Sequence, residues 1–378
     1  MKFAIITHVV HSNSKNQYFA YAPYVREMNI WLKYTDSVIV VAPLTNNRPT
    51  VIDSFYKNQQ IDFRTVPDFN IKSLKNTLIT VLKITKISVA IFKAMQQADH
   101  IHLRCPGNVG LIACIVQLFF PSKSKTAKYA GNWDPKSKQP WTYRLQRWIL
   151  SNTFLTRNMQ VLVYGEWENQ TMNILPFFTA SYSEIEKESL LPLKITDTTI
   201  RMVFAGTLVE GKNPMYAVQL VEELRKLGHQ VILDIFGEGE LGSALENYIG
   251  GNHLQKFVVL HANQPSAVLK KAYQKSHFVI LPSKSEGWPK AIAEGMFWGC
   301  VPLATPVSCV SDMLDQGKRG ILLQMDLDED VTVISKLINN SGDFEMKRKA
   351  ALHWSGQYTT DSFEQQIKKL LNGPSPKN

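Results

Sequence analysis

Apolar residues fall along this chain in short runs separated by stretches of helical spacing, and one long polar interval divides the pattern in two. In the first half, runs at 3–7, 38–41, 100–103, 127–130 and 161–163 predict β-strands. The polar interval, 179–199, carries Ser181, Ser183, Glu184, Glu186, Lys187, Glu188 and Pro192. A second series then predicts strands at 200–204, 230–236, 257–260, 278–281 and 301–304. Strands that alternate with helices form parallel sheets, so the fold class is α/β. The expected organisation is two Rossmann-like α/β/α domains, 1–180 and 200–355. They are joined by a connector, 181–199, and followed by a last helix and tail, 356–378.

Length agrees with that division, because 378 residues exceed one ordinary domain. A hydrophobic content of 44% is enough for two cores. Residues 1–10 read as a first strand and not as a signal peptide, since Lys2 precedes a short apolar run with no small-residue cleavage site. The longest apolar run, 109–120, is interrupted by Gln117 and is too short to span a bilayer. A soluble or peripheral protein of the cytoplasm is expected. Its cysteines, 105, 114, 300 and 309, form no C-x-x-C pair and no metal-ligand spacing with histidine. They read as reduced, buried thiols, and no metal or other cofactor is implied.

Charge changes the picture in one region. The net charge is +10, and 69–133 holds nine basic residues against one acid, Asp99. Lys72, Lys75, Lys83, Lys86 and Lys93 fall within roughly an 80° arc of a helical wheel. For this helix alone a solvated surface face is the better account. With Lys123, Lys125 and Lys128 in the same half-domain, the excess favours an anionic membrane or an anionic acceptor. No nucleic-acid motif is present, and aromatic residues are not interleaved with the lysines, so nucleic acid is not an expected partner.

The chemistry concentrates after the strand at 278–281, in Ser285-Glu286-Gly287-Trp288-Pro289-Lys290, with Glu294 eight positions beyond Glu286. Pro289 is suited to open a helix, because a missing N–H costs nothing at the first helical position. A helix N-terminus beside Gly287 offers N–H groups and a positive dipole end to phosphate. Carboxylates accept hydrogen bonds from hydroxyls. Phosphate donors between two carboxylates describe a sugar nucleotide, with Glu286 on the sugar and Glu294 on the ribose. The bland alternative is a capped helix with two surface glutamates.

Glu286-x7-Glu294, preceded by Ser-Glu-Gly and followed by Gly295-Met296-Phe297-Trp298-Gly299-Cys300-Val301-Pro302, resembles the donor-site signature of family 4 retaining glycosyltransferases. The resemblance is strongest over 200–325. It implies the GT-B fold, two parallel-sheet domains facing across a cleft, with a nucleoside diphosphate sugar as donor and a glycan or lipid-linked acceptor. In such proteins the last helix often crosses back onto the first domain, a role open to 360–371.

The resemblance also implies a Gly-Arg pair and a lysine facing the diphosphate. Here Gly206-Thr207 replaces the pair, and Lys212 stands at the lysine's offset. A point charge survives and a bidentate fork is lost, with Lys290 a substitute. Gly237-Glu238-Gly239-Glu240-Leu241-Gly242 matches G-x-G-x-x-G, but the next strand ends at His261-Ala262 without the acid a dinucleotide site needs. Gly237 and Gly239 therefore read as a donor-side turn. In the first domain the family's histidine position reads Gly131-Asn132-Trp133-Asp134. Asn132 or Asp134 is the positioning candidate there, against a plain turn with a packed tryptophan. His8 and His11 occupy the loop suited to an acceptor contact, against ordinary loop residues. His100 and His102 alternate on a strand and read as structural. Trp288, Pro289 and Gly287 complete the substrate-binding set. Two alternatives stay open at this level, a nucleotide-sugar epimerase of the same fold and a non-catalytic sugar-nucleotide binder.

Overall fold

The apolar runs of both halves pair as parallel strands. This computed structural model describes residues 1–58, 60–67, 77–189, 195 and 199–372. Lys72, Lys75, most of 190–198 and the tail 373–378 lie outside the described residues. The chain divides into two compact units, Met1–Phe178 with Phe363 onward, and Thr179–Ser362.

In the first unit seven strands pair in the order Ile174–Phe177, Met159–Tyr164, Ser124–Tyr129, His100–Cys105, Lys2–Ile6, Ser37–Ala42, Ile61–Thr65. Every pairing is parallel. In the second unit six parallel strands pair in the order Val258–His261, Val231–Phe236, Ile200–Ala205, Phe278–Leu281, Val301–Ala304, Ile321–Leu322. Numbered along the chain, both sheets contain the order 3-2-1-4-5-6. The winding reverses between the first and fourth strands, which opens a crevice outside their C-terminal ends. The strands that the apolar pattern did not reveal, Ile61–Thr65, Ile174–Phe177 and Ile321–Leu322, all lie at sheet edges. Edge strands are short and half-covered, so their signal is weak.

A small second sheet in the first unit has no counterpart in the prediction. His11–Ser14 and Gln17–Tyr21 form a hairpin across Lys15 and Asn16, both at positive φ (50° and 61°), as the twist of a two-residue turn requires. Leu44–Thr45 and Asp53–Phe55 complete it.

The strand His100–Cys105 at the centre of the seven-stranded sheet is buried at every position, polar ones included, and the strands Lys2–Ile6 and Ser124–Tyr129 beside it are buried at all but their first, as in a parallel sheet covered on both faces. This corrects the reading of Lys123, Lys125 and Lys128 as part of a basic face. Lys125 and Lys128 are buried, with Lys125 Nζ donating to the Phe120 carbonyl at 2.9 Å and Lys128 Nζ to the Phe178 carbonyl at 2.7 Å. Lys123 Nζ donates to the carbonyls of Gln96 and Ala98, at the end of the helix Thr77–Gln97. Their ammonium groups satisfy backbone acceptors and do not face solvent as a patch.

His100 and His102 are structural, as their alternation suggested. His100 Nε2 and His102 Nδ1 each lie 2.9 Å from Thr126 Oγ1, and both rings stack on Phe3. Burial pushes His100 down to about 4 and His102 to about 3, the latter helped by the Arg104 charge. Burial also holds His11 near 4, partly offset by its bond to the Val9 carbonyl. The unfolded chain takes up protons on these rings near pH 6.5, and the folded chain does not. Their contribution is therefore intact above pH 6.5 and lost as pH falls toward 4. Between pH 7 and 5 each costs about 2 kcal/mol. Thermal unfolding followed by circular dichroism should show the midpoint falling over that range. A midpoint that stays level to pH 5 would contradict the burial of these three rings.

The polar interval 179–199 belongs to the second unit from Thr179 on. Ser183 donates its N–H and hydroxyl to Glu186 Oε2 at 2.9 and 3.2 Å, and Lys270 Nζ donates to Glu186 Oε1 at 2.8 Å. Thr359 Oγ1 donates to Glu184 Oε1 at 2.8 Å. The polar composition makes a clasp on that unit. The last helix, Thr360–Asn372, begins in the second unit and continues into the first, where Phe363 packs edge-on against Phe177 and Phe178.

Candidate functional site

The crevice of the second unit is where the singled-out residues meet. The strand Ile200–Ala205 runs into the turn at Gly206-Thr207-Leu208, and Lys212 sits just before the helix Pro214–Lys226. The strand Phe278–Leu281 runs into the loop that carries Glu286. Lys212 Nζ donates to Glu286 Oε1 at 2.5 Å. The two loops are laced further, by Lys284 N to the Gly211 carbonyl at 2.9 Å and by Lys284 Nζ to Glu210 Oε1 at 2.6 Å. Glu286 is buried, at 7% exposure, and Lys212 is half-buried. The charges are thus brought together from positions 74 residues apart.

The loop is braced from behind. The Gly287 carbonyl accepts from Ser308 Oγ at 3.4 Å and from Cys309 Sγ at 3.2 Å, and Thr305 Oγ1 donates to the Ser283 carbonyl. The helix Lys290–Phe297 starts one residue later than predicted. Pro289 is its N-cap, and its carbonyl accepts from Ile292 N and Ala293 N at 3.1 and 3.2 Å. No acidic residue stands in the first turn, while Lys290 does. A positive helix end with a lysine on it attracts an anion.

Glu294 lies in that helix and accepts from Ser181 Oγ at 2.5 Å. It lines a small recess with Trp288, Lys290 and Tyr358. Its charge, after burial, raises the neighbouring Tyr273 phenol well above its ordinary range. Five of the predicted residues therefore fall into two groups: Lys212 with Glu286, and Trp288, Lys290 and Glu294 around the recess. Trp288 itself stacks with Trp354 and leans on Tyr358, with ring centres 6.0 and 5.2 Å away. Thr207, the residue in the arginine's place, is exposed in the opposing turn.

Gly237 and Gly239 are explained by backbone approach. A Cβ on Gly237, at φ 145°, would lie 2.0 Å from the Gly206 carbonyl oxygen, and one on Gly239 would lie 2.4 Å from that of Leu208. The two turns mesh through Gly206 N to the Phe236 carbonyl and Leu208 N to the Glu238 carbonyl, both at 3.0 Å. Gly242 has nothing within 4 Å of a Cβ. The third glycine of a dinucleotide fingerprint serves close helix–strand packing, and no such need exists here.

In the first unit His8 is exposed at the switch point, and a Cβ on Gly107 would come within 2.7 Å of its Nδ1. His11 is a correction to the loop reading. It is fully buried, with Nδ1 2.8 Å from the Val9 carbonyl oxygen, Nε2 2.9 Å from the Tyr56 hydroxyl, and its ring stacked on Tyr56. The chain turns into the hairpin there and carries the ring inside. Asn132 Oδ1 accepts from Asp134 N at 2.9 Å, and its carbonyl takes the Gln139 amide. With Trp133 buried edge-on to Tyr129, the segment is a packed turn.

Two groups escaped sequence reasoning. Asp234 Oδ1 lies 2.7 Å from His261 Nε2, and the imidazole stacks on Phe236. In the first unit Glu27 Oε1 accepts from Arg104 Nη1 at 3.1 Å and lies 3.7 Å from Lys128 Nζ, all three buried. No local signal marks either, because the partners come from separate elements. Among the described residues, no three His, Cys, Asp or Glu side chains stand close enough to hold a metal, and no helix is long and apolar enough to cross a membrane. All four cysteines are free and buried.

Residues 187–352 match the family model of glycosyl transferases group 1. An uncharacterized glycosyltransferase of Methanocaldococcus jannaschii is 25% identical over 139 residues, which are 36% of this chain and 38% of that protein. The chain thus aligns with little more than a third of that relative's length. Among solved structures, HepE of Anabaena in complex with UDP and glucose superposes with a TM-score of 0.68 at 14% identity, over 99% of this chain and 100% of that one. A mutant of TarM of S. aureus, crystallised with Fondaparinux, alpha-GlcNAc-glycerol and UDP, gives 0.59 at 17% identity, over 77% of this chain and 59% of that one. The chain therefore has the GT-B fold, and within it residues 187–352 are similar to the glycosyl transferases group 1 model.

Proposed function

We propose that this chain is a retaining glycosyltransferase that moves a hexose-type sugar from a nucleoside diphosphate donor to a hydroxyl of a glycan or lipid-linked acceptor. The setting would be surface polysaccharide or glycolipid synthesis on the cytoplasmic side of a membrane. The observation that carries the reading is the Lys212–Glu286 pair at the switch point of the group 1 domain, beside the helix that Lys290 opens. HepE with UDP and glucose supports the donor class, and TarM with a GlcNAc-glycerol supports a hydroxyl acceptor.

Glu286 would accept hydrogen bonds from donor hydroxyls and orient the anomeric carbon. As the acceptor oxygen bonds to that carbon, the bond to the diphosphate breaks and negative charge grows on the leaving oxygen. Lys212, Lys290 and the helix end would stabilise that charge without a bound metal, as the GT-B resemblance implies. Glu294 would hold the ribose. A thermal-shift series with UDP, GDP, ADP and their sugar nucleotides tests the donor, since a ligand at 100 times its Kd adds about 2.7 kcal/mol. Stabilisation by none of them would overturn the reading. Binding without any turnover favours a non-catalytic binder, and conversion without an acceptor favours an epimerase.

Peripheral membrane attachment belongs to the same proposal. On the helix Thr77–Gln97, Lys83, Lys86 and Lys93 are exposed beside Leu82 and Phe92, at 63% and 40% exposure, and Phe119 nearby is 70% exposed. Each lysine near an anionic surface contributes on the order of 1 kcal/mol, screened by salt. Co-sedimentation with anionic liposomes should be strong at low salt and weak at high salt. Equal binding to neutral and anionic vesicles, or none to either, would count against attachment.

A further inference from the structure

In the first unit, a second pocket lies between the turn at Trp133, the C-terminal half of the helix Trp141–Leu150 and the connection that joins the strands Met159–Tyr164 and Ile174–Phe177. It is an open recess of about 120 Å³, smaller than a site for a drug-sized molecule and on the scale of one small ring. Trp133 and Trp167 supply two indoles to its wall, Arg147 and Glu168 one charge of each sign, and Gln170 an amide. Apart from Trp133, read as a packed turn residue, none of these was singled out by the sequence.

Three observations give the pocket a chemistry. Gln170 Nε2 lies beneath the wall, buried and without a hydrogen-bond partner among the described residues, so a ligand reaches it once the amide turns toward the mouth, which relieves the cost of the unsatisfied donor. The wall is anchored, with Trp167 Nε1 donating to the Tyr164 carbonyl at 2.8 Å. Arg147 Nη1 donates to the carbonyls of Asp134 and Trp133, at 3.0 and 3.4 Å, and its fork retains further N–H groups. A ligand for this wall needs apolar surface for the rings and several hydroxyls for the amide, guanidinium and carboxylate. It carries no net charge, since Arg147 and Glu168 cancel. Neutral pyranosides combine those features. The geometry points to a carbohydrate-binding subsite on the first unit, built by Trp133, Trp167, Arg147, Glu168 and Gln170. That the bound saccharide is part of the acceptor rests on the glycosyltransferase reading; that the pocket binds a saccharide does not.

The test uses the full chain with methyl glycosides of glucose, galactose, mannose and N-acetylglucosamine, and with maltose and lactose. Binding is read by saturation-transfer NMR and intrinsic tryptophan fluorescence, with UDP binding by thermal shift in parallel. At least one saccharide should bind the unaltered protein. Trp167→Ala should weaken it at least about tenfold, by removing a ring face, and Gln170→Ala about threefold to tenfold, by removing one donor. Both variants should keep the UDP shift. The amide nitrogen of Gln170 gives up no hydrogen bond within the protein, so its variant is expected to fold even if Trp167→Ala does not. Binding by no saccharide at 20 mM (about the weakest affinity worth pursuing), or binding that Gln170→Ala leaves unchanged, overturns the subsite. Saccharide binding without any nucleotide binding overturns the donor reading and leaves the subsite standing.

Discussion

Glu286→Gln is expected to lower turnover of the donor at least tenfold while leaving the affinity for bare nucleoside diphosphate unchanged or slightly improved. The substitution keeps shape, removes the charge and converts half of the group into a donor. Charge-assisted hydrogen bonds are roughly twice as strong as neutral ones. A tenfold loss needs only about 1.4 kcal/mol of transition-state stabilisation. The structure sharpens the second half of this expectation. Lys212 Nζ donates to Glu286 Oε1, so neutralising the carboxylate loosens an ammonium that a diphosphate could use. Glu294→Gln should show the opposite bias, weakening nucleotide and sugar nucleotide alike. Isothermal titration of both variants with nucleoside diphosphate and sugar nucleotide, alongside turnover, separates the roles. Normal turnover by Glu286→Gln, or loss of nucleoside diphosphate binding as large as that of Glu294→Gln, would reject the assignment.

The largest stability effect is expected from Glu27→Ala. Glu27 is the carboxylate between Arg104 and Lys128, and the three are 4%, 9% and 0% exposed. Removing it leaves two cations in the core with one fewer acceptor. Breaking a buried pair in this way costs about 3–5 kcal/mol. For a unit of this size, each kcal/mol moves the midpoint by roughly 2–4 °C. The melting transition of the first unit should therefore drop by about 6–20 °C. Replacing all three charges with apolar residues of similar volume should recover much of the loss, because the penalty lies in the unpaired cations. A midpoint within about 2 °C of the unaltered protein for Glu27→Ala would show that the cluster is hydrated and not buried.

The ten strands predicted from apolar runs are all present, because a strand covered on both faces must be apolar over several consecutive positions wherever it lies. The paired glutamates and their helix were legible for a similar reason. Proline, glycine and the spacing of carboxylates act within one loop and one helix, so the local chain already contains the argument. Lys212 was reachable only through its offset in a family pattern. Its meeting with Glu286 depends on two loops that the 3-2-1-4-5-6 winding brings together.

What the tertiary structure alone decided is the environment of the polar residues. Lys125 and Lys128 look in sequence like members of a basic patch, yet each ammonium is held inside by a carbonyl, and Lys128 lies over the rings of Tyr164, Phe177 and Phe363. His11 looks like a loop residue and is a core ring satisfied by Val9 and Tyr56. The two glycines of the G-x-G run serve the meshing of two turns. The wall of the second pocket comes from three separate segments between Trp133 and Ile174. In each case the deciding partner is a backbone carbonyl, a ring or a turn brought up from elsewhere in the fold. Composition and periodicity report which faces are apolar; they carry no record of which distant group will neutralise a buried charge.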